Sequence, residues 1–201
     1  MYEIISNHYG KKAIIPLFNC IVAEPIEETF ESKTIQIQNI EKKKSNKAKC
    51  LIISEDIDMD NLEIEDNVYY LEGEGKWTHN VFTLRNQSFI FLEDDKILAI
   101  EKRKTNEIQA TRDYIIARAL SNNETHEIES NSKLIMLDSS TKASSFQKLK
   151  YARIYARHNE NEEIKVNDIV CYDLNYFMNI KGIQYIVIPM RYVHAIVRDQ
   201  E

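Results

Sequence analysis

The sequence predicts an all-β chain built from two tandem copies of one small β unit. Three observations carry that expectation. Four short blocks recur in the same order in the two halves of the chain. Each block is rich in Ile, Val, Tyr and Phe and is bounded by Asn, Asp, Glu, Ser or Gly. Helical periodicity is not sustained over three turns anywhere. Several short strands at this spacing suggest a small barrel or sandwich.

The first block, "NCIVAE" at 19–24, is answered by "DYIIAR" at 113–118, and the second, "SKTIQI" at 32–37, by "SKLIML" at 132–137. The third, "KCLIISEDIDMDNLEIEDNVYY" at 49–70, is answered without a gap by "YARIYARHNENEEIKVNDIVCY" at 151–172. The fourth, "RNQSFIFLEDDKILAIE" at 85–101, is answered by "KGIQYIVIPMRYVHAIV" at 181–197. The offsets are 94, 100, 102 and 96, so the copies differ by small insertions in their connections, where insertions are tolerated. The best helical candidate is "SSFQKLKYARIYARH", with Phe146, Leu149, Ala152 and Ala156 as its stripe, but its counterpart "KAKCLIIS" reads as a strand, and the repeat therefore favours strand.

With four glycines and three prolines in the chain, turns must rest on Asn, Asp and Ser, and Gly73, Gly75 and Gly182 take hairpin-like positions. The polar stretch "KRKTNEIQATR" at 102–112 holds the boundary, giving domains 1–104 and 105–201.

Composition narrows the functional classes. A chain of 201 residues with 43% hydrophobic content can bury a real core. The net charge of -6 argues against a nucleic-acid partner, which needs a concentrated basic surface. The one basic run, Lys42 to Lys49, reads as a solvated loop. No run approaches the roughly 18 apolar residues of a membrane helix, and "MYEIISNHYGKK" lacks the apolar segment of a signal peptide. A soluble, cytoplasmic protein with no membrane partner is expected. Cys20, Cys50 and Cys171 are odd in number, widely spaced and set among apolar residues, as small core residues are.

His8, His79, His126, His158 and His194 show no metal-ligand spacing, and none lies beside a cysteine or serine in a nucleophile-like motif. The acidic pairs Glu27 and Glu28, Asp94 and Asp95, and Glu162 and Glu163 read as solvated turns. Trp77 and the tyrosines could stack on bases, but the charge balance disfavours it and Tyr69, Tyr70 and Tyr172 fall in strands, where aromatics are favoured anyway. The expectation is a non-enzyme with no cofactor and no metal.

The order of blocks resembles the GroES-like co-chaperonin family. That family opens with a strand like "RPLHDRVIVK", passes through a mobile loop to an apolar tripeptide, then reads "GEVLAVG", "VKVGDIVLF" and "DGEEYLIVREDDILAIV". Here the first copy gives "IIPLFNCIVAE", "TIQI", "KCLIIS", "LEIEDNVYY" and "NQSFIFLEDDKILAIE". The second gives "TRDYIIAR", "LIML", "YARIYA", "IKVNDIVCY" and "KGIQYIVIPMRYVHAIV". The resemblance spans residues 13 to 198. The family's glycines around the tripeptide are missing, and its roof hairpin shrinks to "EDIDMDN" and "HNENEE".

The resemblance implies two tandem small GroES-like β-barrels and a co-chaperonin that assembles as a homo-oligomeric ring, caps a GroEL-like chaperonin and supports ATP-dependent folding. The residues matched to the docking tripeptide are Ile35, Gln36 and Ile37 in the first copy and Ile135, Met136 and Leu137 in the second. Ring assembly in the family uses the first and last strands of neighbouring barrels. This makes Ile14, Ile15, Ile21, Val22, Ile97, Ile100, Ile115, Ile116, Val193, Ile196 and Val197 the interface candidates. A GroES-derived adaptor without chaperonin binding, or a nucleic-acid-binding barrel, are the alternatives.

Overall fold

Alternating apolar residues bounded by turn formers put every other side chain on one face of an extended chain, and that face must be buried. The computed structural model describes residues 2–6, 12–16, 19–26, 47–59, 61–71, 81–84, 86–121, 124–125, 135–136 and 150–197, and they are all-β. The chain divides into two compact units, Met1–Glu107 and Ile108–Glu201, a boundary three residues beyond the expected one.

In the first unit β1 (Tyr2–Ser6) and β2 (Lys12–Pro16) form an antiparallel pair. The main sheet contains β3 (Cys20–Pro25), β4 (Lys47–Ile53), β5 (Asn67–Tyr70), β6 (Val81–Leu84), β7 (Gln87–Glu93) and β8 (Ile97–Glu101). Its strands run in the order β6-β7-β3-β4-β5-β8, all antiparallel.

The second unit opens with β9 (Ile108–Ala110). It continues with β10 (Tyr114–Ala119), the two-residue β11 (Ile135–Met136), β12 (Lys150–Ala156) and β13 (Ile169–Tyr172), then β14 (Tyr176–Ile180), β15 (Ile183–Pro189) and β16 (Val193–Val197). Its sheet runs β14-β15-β10-β12-β13-β16-β11. Apart from β11 this is the first unit's order strand for strand, and the ladder irregularities recur, between Val22 and Ala23 and between Ile116 and Ala117, then between Tyr69 and Tyr70 and between Cys171 and Tyr172. The helical candidate is strand β12 over its described part, as the repeat required.

The cores repeat as well. The first is Ile21, Ala23, Ala48, Cys50, Val68, Tyr70, Ile90, Leu92 and Ile97. The second holds Ile115, Ala117, Ala152, Ile154, Val170, Tyr172, Ile186, Ile188 and Val193 at the corresponding places, together with Ile164 and Ile196.

This pairing corrects the gapless alignment of the third block. Ala23 stands opposite Cys50 and Ala117 opposite Ile154, so β4 and β12 correspond at an offset of 104 rather than 102. Between the equivalent residues the first unit is therefore longer by two: Cys50 and Val68 are 18 positions apart, Ile154 and Val170 are 16. A shift of two residues leaves every side chain on its original face, so the apolar pattern is blind to it.

The connections use left-handed backbone where it is needed. Lys181 (φ 50°) and Gly182 (φ 80°) make the two-residue turn between Ile180 and Ile183, which pair across β14 and β15. Two positive φ values suit the right-handed twist of a hairpin. Gly182→Val is therefore expected to cost about 1–2 kcal/mol in urea unfolding followed by circular dichroism. Lys181→Asn, which tolerates this region better, is expected to raise stability slightly. Gly73 and Gly75 lie outside the described residues. Among the described residues, no helix is long and apolar enough to cross a membrane.

Candidate functional site

The site predicted from the tripeptide match falls at a sheet edge in the second unit. Among the described residues β11 pairs with β16 alone, Ile135 opposite Ile196 and Met136 opposite Ala195. Ile196 belongs to the main core, and Ala195 to a smaller cluster with Tyr151, Cys171 and Val197. The strand that carries β11 is thus anchored on both of its faces. Ile35, Gln36, Ile37 and Leu137 lie outside the described residues.

The interface candidates sit differently from a surface patch. Ile21, Val22, Ile97, Ile100, Ile115, Ile116, Val193, Ile196 and Val197 are all buried within the single chain. Those side chains are already enclosed, and β3 and β10 are also paired on both sides, so neither of these two strands offers a backbone edge to a neighbouring subunit. Ile14 and Ile15 lie in β2, opposite Ile4 and Glu3.

Two polar groupings in the first unit escaped the sequence reading. Lys47, read as part of a solvated basic loop, is the first residue of β4 and is buried. Its Nζ lies 2.7 Å from Glu101 Oε2 and 5.3 Å from the centre of the Tyr69 ring. Tyr69 Oη and Asn67 Nδ2 each donate to the same Glu101 oxygen at 3.3 Å. The ammonium's burial is thus offset by a full opposite charge, and the carboxylate's by three donors. At the corresponding places the second unit has Tyr151, Val197, Cys171 and Ile169, which pack as an apolar cluster. The two copies thus bury the same sheet face with opposite chemistry. The available signal was the alternation Lys47, Lys49 running straight into an apolar strand.

The second grouping closes the turn before β5. Asp66 accepts the Glu63 N–H at 3.0 Å, the Arg103 N–H at 3.0 Å and Lys102 Nζ at 2.9 Å. Burial would raise its carboxyl, but these donors prevail and hold it below the ordinary carboxylate value. Lys102 also reaches the Asn61 carbonyl, and Glu65 pairs with Lys49 and Arg103. The second unit repeats the turn, Asp168 accepting the Lys165 N–H at 2.9 Å. Glu65 and Asn167, the residues before these aspartates, both have φ 75°. The family motif "VKVGDIVLF" has glycine at that position, the residue for which left-handed backbone is easiest.

The three cysteines are buried. Burial pushes the Cys50 thiol up to about 12 and the Cys171 thiol up to about 11, so both stay protonated and unreactive. Among the described residues no group of His, Cys, Asp and Glu could hold a metal ion. Asp94 and Asp95 open a one-turn helix between β7 and β8, where Asp95 pairs with Lys96. His158 and His194 lie near Glu160 and Asp173 respectively, while His8, His79, His126, Trp77, Glu27 and Glu28 lie outside the described residues.

Compared with known proteins, the chain matches no family model, and no curated protein matches it.

Proposed function

We propose that the chain is a co-chaperonin of the GroES-like kind: two small barrels in one subunit, assembling into a ring that caps a GroEL-like chaperonin and supports ATP-dependent folding. The observation that carries this reading is a connection far longer than its strands require, made twice. β3 and β4 are antiparallel neighbours with Pro25 opposite Ala48, yet residues 26–46 join them. β10 and β12 are neighbours with Ala119 opposite Ala152, and residues 120–149 join them. Hairpin connections usually take about 2–5 residues, and those beyond about 12–15 in compact domains are uncommon and usually either functional or linker segments.

In both copies this connection holds the segment that resembles the family's mobile loop and tripeptide. Further support comes from the repeated strand order and from left-handed backbone where the family motif has glycine. Withdrawing β11 from its edge gives up backbone hydrogen bonds worth about 0.5–1.5 kcal/mol each. Several loops on one ring outweigh that cost, because each docking raises the effective concentration of the next.

The adaptor reading is favoured by one observation: Ile135 and Met136 are already engaged with β16. A refolding assay separates the two. A denatured client enzyme incubated with a bacterial chaperonin and ATP is expected to regain several-fold more activity when the chain is added, and Ile135→Ser is expected to abolish the gain. No gain with chaperonins from several bacteria favours the adaptor.

A further inference from the structure

The two surfaces that the proposed function assigns to partners are paired with each other in the single chain. β16 is the last strand, the one assigned to a neighbouring subunit, and Ile135 and Met136 form the segment assigned to the chaperonin. In the sheet, β16 has β13 on one side and β11 on the other. We propose that β11 is a latch: in the free chain it covers the edge of β16, and it must leave before the chaperonin can take Ile135 and Met136 or a second copy of this chain can add a strand to β16. This inference rests on the co-chaperonin reading and specifies how its site is regulated.

The reason is the single use of a strand edge. Each outward N–H and C=O of β16 can pair with β11 or with an incoming strand, and not with both. β11 pairs with two of the five residues of β16. That is enough to block a full-length strand and little enough to be displaced by one. β16 itself stays in place when β11 leaves, because Val193 and Ile196 belong to the main core while Ala195 and Val197 belong to the cluster on the other face. Release then works in both directions: a copy that captures the β16 edge frees the segment for the chaperonin, and a chaperonin that captures the segment frees the edge for assembly. Linkage makes the two couplings equal.

The test is a bridge across the latch, Ile135→Cys with Ile196→Cys. Directly opposed residues of an antiparallel ladder stand about 4.5–5.5 Å apart between Cα atoms, within the span a disulfide accepts. Mild oxidation of the free chain is expected to close the bridge. The oxidised protein is expected to run as a monomer, and the same variant after reduction is expected to assemble. Where Ile196→Cys compromises folding, Met136→Cys with Ala195→Cys serves instead, in a Cys171→Ala background because Cys171 stands opposite Ala195.

A bridged protein that assembles as well as the reduced one overturns the latch. So does a natively folded variant in which the bridge does not form, or a reduced variant that does not assemble. If reduction releases assembly while the unsubstituted chain, mixed with a bacterial chaperonin in ATP, does not bind it, the latch stands and the co-chaperonin reading fails.

Discussion

Glu101→Ala is expected to destabilise the first unit by about 3–5 kcal/mol. Removing this carboxylate leaves the Lys47 ammonium buried without its 2.7 Å partner and takes the acceptor from Tyr69 Oη and Asn67 Nδ2. An isolated buried charge is among the most costly features a fold can carry. The cost belongs to the lysine charge left buried without this carboxylate rather than to the value of the pair, so the double variant Lys47→Met with Glu101→Gln is expected to recover at least half of the loss: it removes both charges and keeps an acceptor for the tyrosine and asparagine. Urea unfolding of the three proteins, with hydrogen exchange to assign the loss to β4, β5 and β8, measures it. Equal losses in the single and double variants would mean that the pair itself stabilises the fold.

Asp66→Ala is expected to cost about 2–4 kcal/mol, since it strands the Glu63 and Arg103 N–H groups and the Lys102 ammonium around a buried position. The same carboxyl gives a pH signature. It titrates lower in the folded chain than in the unfolded one, so its contribution is complete above the unfolded value and is lost as pH falls through about 4 and below. Wild type is therefore expected to lose stability across that acid window more steeply than Asp66→Asn. Parallel pH profiles of the two proteins would remove Asp66 as the source.

The sequence and the structure agree where the physics is periodic. Duplicated apolar blocks located β3, β4, β5, β7 and β8 and their counterparts, and the core residues of the two units fall at matching positions. The same periodicity hid the register of β4 against β12, because a slip of two residues keeps the apolar face intact.

Lys47 was illegible for a different reason. Its charge reads as solvent-facing, and only the pairing that brings Glu101 beside it, through Lys47 opposite Tyr69 and Asn67 opposite Glu101, makes burial tolerable. Glu65 gave no sign of its left-handed backbone, whereas Asn167 in the same place is an ordinary residue for that conformation. For the candidate site, the resemblance pointed to Ile135 and Met136, but that their backbone is taken up by β16 follows from topology alone.

The proposed capping role is tested most directly by size-exclusion chromatography with light scattering of the purified chain, alone and mixed with a bacterial chaperonin, with ATP and without nucleotide. The expected result is co-elution that depends on ATP and is lost in Ile135→Ser. A chain that runs as a monomer or dimer and co-elutes with no chaperonin under either condition would contradict the role and leave the duplicated β fold without it.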